Sequence, residues 1–112
     1  MQVVPHPLLE RDIVGMAEHV FAIGGDGAAT RRRISEARDL IEAIVAEPGL
    51  GTRLDKPLDG WRVRHGGRGR RITVVFRHDI ALDALYIALV AFGGRDWETH
   101  AARRSGFGES EA

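Results

Sequence analysis

Residues 61–92 read WRVRHGGRGRRITVVFRHDIALDALYIALVAF, and this stretch decides the fold. Apolar and polar residues alternate over 61–65 and again over 71–77, a period of two that is typical of strands with one buried face. The glycine-rich residues between these two segments predict a hairpin turn at 66–69. Residues 84–92 are apolar on both faces, which predicts a central strand. The stretch therefore predicts three consecutive antiparallel strands, a meander.

Two amphipathic helices are predicted before the meander. Apolar residues recur at helical spacing over 7–23 and over 26–47, and Gly24-Gly25 separates the two segments. Residues 1–4 predict a short strand that ends at Pro5. Because each helix carries one apolar stripe, the pair forms an antiparallel hairpin that must bury this stripe against the sheet.

The order of the elements predicts the α+β class. We expect two layers built from an N-terminal strand, a helical hairpin, a three-stranded antiparallel meander and a short C-terminal helix at 96–104. A chain of 112 residues is long enough for one domain with one core. We place this single domain at 1–104 and expect 105–112 to form a flexible tail. The helices should cover one face of the sheet and leave the other face open.

Composition excludes several classes of protein. The chain has no cysteine, which excludes disulfides, thiolate zinc sites and a cysteine nucleophile. Its longest apolar run, at 84–92, is too short to span a membrane, and no export signal is readable, so we expect a cytoplasmic protein. The histidines lack the close spacing of metal ligands. The glycines at 66–69 do not precede a helix, as those of a phosphate-binding loop do. We therefore expect no metal and no cofactor.

Charge is unevenly distributed along the chain although the net charge is zero. Residues 1–60 hold seven basic and ten acidic side chains, whereas residues 61–104 hold nine arginines and four carboxylates. Lys56 is the only lysine, and a guanidinium binds phosphates and carboxylates through two parallel hydrogen bonds. The second half of the chain is thus predicted to bind an anionic partner, either RNA, DNA or an acidic protein segment.

The arginines of the hairpin are the strongest candidates for this contact. Arg62 and Arg64 lie two residues apart on one predicted strand, and Arg71 lies across the hairpin. We predict that all three project from the sheet face that the helices leave open, where like charges need an anionic partner. The alternative is that exposed strand positions accept arginine because its stem covers the sheet surface. Tyr86 is predicted to reach the same face, either as a core residue or as a contact to the partner.

The C-terminal segment adds three candidates. Arg95 follows Gly93-Gly94 at the end of the last strand, and His100 and Arg103 come soon after it. An imidazole near several guanidinium groups suits proton transfer in phosphodiester cleavage. A solvated histidine without a role is the alternative.

Four short segments resemble, in their order and spacing, the RelE/ParE superfamily of toxins from bacterial type II toxin–antitoxin systems. They are PGLG at 48–51, GWRVR at 60–64, RITVVF at 71–76 and VAFGGRD at 90–96. The resemblance spans roughly residues 2–104 of the chain. It implies the two-layer RelE/ParE-like fold and a cognate antitoxin that neutralises the toxin in a hetero-oligomer, with no membrane partner.

The resemblance implies two targets. RelE-like members bind the ribosome and cleave mRNA, and ParE-like members inhibit DNA gyrase without nuclease activity. Matched by position, Arg71 and Arg95 fall where the family places phosphate-stabilising arginines, and His100 lies near the position of a C-terminal acid or base. We expect a toxin that cleaves mRNA on the ribosome, an endoribonuclease; gyrase inhibition and a non-catalytic domain that binds an acidic partner are the alternatives. The residues expected to contact nucleic acid or an acidic partner are Arg62, Arg64, Arg71, Tyr86 and Arg103.

Overall fold

The computed structural model describes residues 1–94 and 96–109. In chain order it contains β1 (Gln2–Pro5), α1 (Leu9–Gly24), α2 (Gly27–Ala46), β2 (Thr52–Arg53), β3 (Arg62–Gly66), β4 (Ile72–Asp79), β5 (Ala84–Phe92) and α3 (Trp97–Ala102). The strands form one sheet in the order β1-β5-β4-β3-β2. The predicted α+β class, with a strand, two helices, a sheet and a short C-terminal helix, is therefore confirmed.

β3, β4 and β5 form the predicted three-stranded antiparallel meander, but two further strands join it, so the sheet as a whole is mixed and is not a pure antiparallel meander. β1 runs parallel to β5, with Gln2 opposite Ala84 and Pro5 opposite Ile87. β2 adds a short antiparallel pairing in which Thr52 lies opposite Val63. The pairings of β1 and β2 were not predicted because alternation along a segment indicates a strand but contains no information on its partner, and β1 pairs with a strand that is remote in the sequence.

Local signals determine where the two long helices begin and end. α1 ends at Gly24, and Gly25 adopts a left-handed φ of 59° while its N–H donates to the carbonyl of Phe21. The carboxylate of Asp26 accepts a hydrogen bond from the Ala28 N–H at 2.9 Å and caps α2. No helix in the described part of the chain is long and apolar enough to cross a membrane.

The main core lies between the helical hairpin and one face of the sheet. Ile44 of α2 and Phe76 of β4 are fully buried in it, and each such side chain contributes about 1.5–3 kcal/mol on burial. The buried members of this core are Leu9, Met16, Ala37, Leu40, Ile44, Ile72, Val74, Phe76, Leu85, Ile87, Val90 and Phe92.

A second apolar cluster covers the other face of the sheet. Three segments outside the two long helices contribute to it: the connector before β3, α3 and the residues after α3. Its members are Leu58, Trp61, Val63, Val75, Ala88, Leu89 and Ala101, with Leu54, Tyr86, Ala91, Trp97 and Phe107 packed against them. The prediction that this face is open is therefore wrong. The physical reason is that β3, β4 and β5 carry apolar side chains on this face too, and these require a cover.

Candidate functional site

Arg62 and Arg64 lie on the helix side of the sheet, which corrects the prediction that they project from the opposite face. Arg62 is opposite Phe76 and Arg64 is opposite Val74, and both partners belong to the main core. Residues directly opposite in antiparallel strands share a face. The alternation thus placed the two arginines on one face, as predicted, but it contained no information on which face the helices cover.

Both arginines are accommodated there because β3 lies near the sheet edge, where β2 is short. Arg62 Nη1 donates to the Gly51 carbonyl at 3.2 Å and so ties the connector before β2 to β3. Arg64 is half-buried, and its Nη1 has no hydrogen-bond partner among residues 1–94 and 96–109. No described protein group thus compensates this end of the Arg64 guanidinium.

Tyr86 is half-buried beneath the protein's own C-terminal segment. The Phe107 ring meets the Tyr86 ring edge-on, with centroids 5.7 Å apart. The Arg77 guanidinium lies between Tyr86 and Trp61, at 4.7 Å and 5.3 Å from their ring centres, and donates to the Phe107 carbonyl at 3.3 Å. Tyr86 therefore packs against the chain's own C-terminal segment and is not available for contact with a partner.

Positive charge is concentrated at the turn between β3 and β4. Arg68, Arg70 and Arg71 are exposed in this turn, and Arg64 lies on the strand that leads into it. We call these four residues the hairpin-end cluster. None of them forms an ion pair with a carboxylate in the described residues. Uncompensated like charges that are close together attract an anion.

Helix α2 fixes the conformation of this turn. Glu36 pairs with Arg33 at 3.2 Å and accepts a hydrogen bond from the Arg68 N–H at 3.0 Å. Gly67 has a φ of 73°, and a Cβ at this position would lie 2.7 Å from Glu36 Oε2. Only glycine fits such a position without movement of its neighbours. The arginines of the turn are therefore presented from a defined backbone.

Arg71 lies at the junction of the hairpin and the end of β5. Its guanidinium carbon is 4.9 Å from the centre of the Phe92 ring, and its carbonyl accepts a hydrogen bond from the Gly93 N–H at 2.9 Å. Arg95, the second predicted phosphate-stabilising arginine, lies outside the described residues.

His65 is not among the site residues predicted from the sequence. Its Nδ1 is 2.9 Å from Thr73 Oγ1, and its ring centre is 6.1 Å from that of Trp97. Two shallow depressions, of about 500 Å³ and about 450 Å³, share His65 and Arg70 in their walls. The signal for this residue was present, because the hairpin register places His65 directly opposite Thr73.

His100 lies elsewhere, in a groove between α1 and α3. This groove of about 510 Å³ follows β5 where β1 no longer pairs with it, and its walls include His19, Phe92 and His100. Arg71 approaches the same groove only through the Phe92 ring. His100 and Arg103 are exposed. The structure therefore does not place His100 in either depression beside His65, and it leaves Arg103 at the end of α3.

Arg104, which also belongs to the basic half of the chain, is engaged within the protein. Its guanidinium binds both carboxylate oxygens of Asp12, at 2.8 Å and 3.0 Å, and the Ala88 carbonyl at 2.8 Å. Asp12 also accepts a hydrogen bond from the Val90 N–H at 3.1 Å. The pair satisfies backbone groups on the part of β5 that β1 leaves unpaired, so Arg104 does not add to the free positive charge.

Two titratable groups have shifted pKa values near the C-terminal segment. Hydrogen bonds from the Thr99 side chain and backbone N–H lower the pKa of Asp96, which caps α3. Burial lowers the pKa of His6, with a further contribution from the Arg104 charge that Asp12 partly opposes. Both groups serve the packing of α3 and the residues after it. In the described ranges, no three His, Asp or Glu side chains are grouped closely enough to hold a metal ion.

Comparison with known proteins does not assign a family. No protein-family model matches the chain, and no curated protein matches it either.

Proposed function

We propose that this protein is the toxin subunit of a bacterial type II toxin–antitoxin system of the RelE/ParE kind, and that it inhibits growth by cleaving mRNA on the ribosome. The hairpin-end cluster is the observation that carries this proposal: its four guanidinium groups have no carboxylate partner in the described residues, and two of them, those of Arg64 and Arg70, line a depression together with His65. A helical hairpin packed on one face of a sheet supports the proposal, since the resemblance implies this architecture.

The chemistry of RNA cleavage requires side chains of the types found there. The ribose 2′-hydroxyl attacks its own phosphate, so the protein must supply a base for the hydroxyl proton and cations for the charge that develops on the phosphate oxygens. Arginine suits the second task because its guanidinium binds two phosphate oxygens at once. Arg70 and Arg71 are exposed and free of carboxylates in the described residues, so an incoming phosphate displaces no internal ion pair.

The same cluster suits a protein partner that neutralises the toxin. A cognate antitoxin that places an acidic segment on the hairpin end would compensate the guanidinium charges and block access of RNA. The toxin would then exist in cells as a hetero-oligomer with this antitoxin, and inhibition would follow its release.

Inhibition of DNA gyrase is the second candidate function, and one observation favours it. His100, the predicted acid or base, lines a groove whose described walls do not include Arg71, the predicted phosphate-stabilising arginine that the structure describes. The nuclease residues inferred from the resemblance are thus not assembled around one depression in the described part of the chain. A toxin without nuclease activity would need no such assembly.

Expression of the chain alone, followed by primer extension on cellular mRNA, tests the proposal. We expect growth arrest and breaks in mRNA that follow the reading frame. Growth arrest with intact mRNA and a DNA-damage response would point to gyrase, and normal growth with confirmed soluble protein would contradict a toxin of either kind.

A pair of matched triple variants tests the hairpin-end cluster itself. Substitution of Arg68, Arg70 and Arg71 by alanine should relieve the growth arrest because it removes three exposed cations. The control removes three exposed cations from α2 by the substitutions R31A, R32A and R38A, and it should stay toxic. Equal toxicity of the two variants would show that the position of the charge is irrelevant.

A further inference from the structure

We propose that His65 is the proton-transfer residue of the RNA-cleaving site, and that the two depressions beside it hold a base and the adjoining phosphate. This inference rests on the proposed function, and it assigns to His65 the role that the resemblance suggests for His100. The observation behind it is that two depressions meet at His65 and Arg70. His65 and Arg70 line both depressions, whereas Trp97 lines only one and Arg64 lines only the other.

The His65 ring is held in one orientation. Its Nδ1 is engaged with Thr73 Oγ1 at 2.9 Å, and Thr73 is 4% exposed, so this partner is fixed by the sheet. The Trp97 ring meets the imidazole edge-on and limits its rotation further. With Nδ1 occupied, Nε2 is the nitrogen left to exchange a proton with a ligand. A base that is oriented by a third group is the usual arrangement around an activated nucleophile.

The Arg64 depression suits the phosphate. Its walls are formed by Gly51, Thr52, Val63, Arg64, His65 and Arg70, which include two guanidinium groups and no carboxylate. Neither arginine is neutralised by an ion pair with a described carboxylate. A phosphodiester in this depression would contact cations on one side and the imidazole on the other.

The Trp97 depression suits the base. Its described walls contain Asp96 and Glu98 together with Arg70, Trp97 and Thr73, so they are less positive than those of the Arg64 depression and suit an uncharged ring better than a phosphate. Indole is a stacking surface for any nucleobase, because every base has a π face. The difference in charge between the described walls of the two depressions thus orients the strand, with the base toward α3 and the phosphate toward β3.

The reaction needs no reagent beyond RNA and water. His65 Nε2 takes the proton of the 2′-hydroxyl as O2′ forms a bond to phosphorus, and the bond from phosphorus to O5′ breaks. The departing O5′ takes a proton from water, and the His65 imidazolium later returns its proton to solvent. The products are a 2′,3′-cyclic phosphate and a 5′-hydroxyl end. Arg64 and Arg70 bind the phosphate oxygens and so stabilise the negative charge that these oxygens gain in the transition state.

Single-turnover cleavage of mRNA on ribosomes with an empty A site tests the role of His65, with the proteins made by cell-free translation. The substitution His65→Asn keeps an amide at the position of Nδ1 for the Thr73 hydrogen bond and removes Nε2. We expect the cleavage rate to fall by roughly 100-fold or more, the usual contribution of a positioned acid or base. Binding to the ribosome, measured by sedimentation, should not change. His19→Asn, at an exposed histidine outside both depressions, is the matched control and should keep the wild-type rate, and His100→Asn tests the other candidate base.

A second pair of variants separates orientation from packing. Thr73→Ser retains the hydroxyl that contacts His65 and should retain activity, whereas Thr73→Val has nearly the same shape without the hydroxyl and should lower the rate with unchanged ribosome binding. Activity of Thr73→Val equal to that of Thr73→Ser would overturn the orienting role.

The outcomes distinguish this inference from the proposed function. If the wild-type protein cleaves mRNA, a full cleavage rate in His65→Asn, or a loss of cleavage in His100→Asn alone, overturns the inference and leaves the proposed function in place. Absence of cleavage by the wild-type protein in this assay overturns both.

Discussion

Removal of the Asp12 carboxylate should destabilise the protein more than removal of any exposed carboxylate. Asp12 of α1 binds Arg104 through two hydrogen bonds and accepts a third from the Val90 N–H. The two side chains are 11% and 14% exposed, so water replaces the lost partner only in part. The substitution Asp12→Ala leaves a largely buried guanidinium and an unpaired backbone donor on the free part of β5.

The magnitude follows from these contacts. Removal of one partner of a buried ion pair lowers the free energy of unfolding by about 3–5 kcal/mol. The residual exposure of Asp12 and Arg104 places this pair at the lower end of that range. We expect the free energy of unfolding to fall by about 3 kcal/mol, which lowers the melting temperature by about 12 °C for a chain of this length. Asp12→Asn should cost about half as much, because the amide oxygen still accepts one hydrogen bond.

Urea unfolding followed by circular dichroism measures this effect, with Glu18→Ala as the control on an exposed position of the same helix. The double variant Asp12→Ala/Arg104→Ala completes a thermodynamic cycle. It should lose clearly less stability than the sum of the single variants, since the second substitution removes the charge that the first leaves unpaired. A loss below about 1 kcal/mol for Asp12→Ala, the range of surface pairs, or strict additivity in the cycle, would refute the argument.

Three further predictions concern the turn, the C-terminal segment and pH. Gly67→Ala should destabilise the protein by about 1–3 kcal/mol because its Cβ would meet Glu36 and Ile72. Gly69→Ala, with a similar φ but only ordinary contact with the Arg71 side chain, should cost less in the same urea experiment. Phe107→Ala should increase the exposure of Tyr86, the single tyrosine of the chain, measured as faster nitration of this residue by tetranitromethane, and an unchanged nitration rate would contradict the packing. The folded-state pKa of His6 lies below its usual value of 6.5, so the unfolded chain binds a proton first as the pH falls. The stability that the neutral imidazole contributes is therefore intact above pH 6.5 and is lost below it. His6→Asn should lose less stability than the wild type between pH 7 and pH 5.

The C-terminal segment shows why the candidate site was only partly predictable. From the sequence, a flexible tail from residue 105 and an open sheet face were expected. In the structure Phe107 packs against Tyr86 and His6, and Trp61 Nε1 donates to the Ser105 carbonyl at 3.1 Å. Trp97 and Phe107, two aromatic residues in a short polar segment, were the available signal. Their packing partners lie far away in the sequence, so local patterns contain no information on where the segment packs.

Local chemistry by itself determined the elements of this protein and the pairs within the hairpin. Helical spacing, the glycines at 24–25 and the alternation around 66–69 were sufficient to predict α1, α2, β3 and β4, because helix periodicity, turn formation and hairpin register depend on neighbours in the chain.

Tertiary structure alone decided which face each arginine occupies and which histidine meets the cationic turn. Arg64 and Val74 share a face by register, yet only the packing of α2 makes this the helix side. His65 and Trp97 come together only because α3 folds back onto β3 and β4. The physical reason is that burial of apolar surface depends on the whole chain. The sheet has two apolar faces, and the segments that cover them are remote in the sequence from the strands, so no local pattern indicates which segment covers which face.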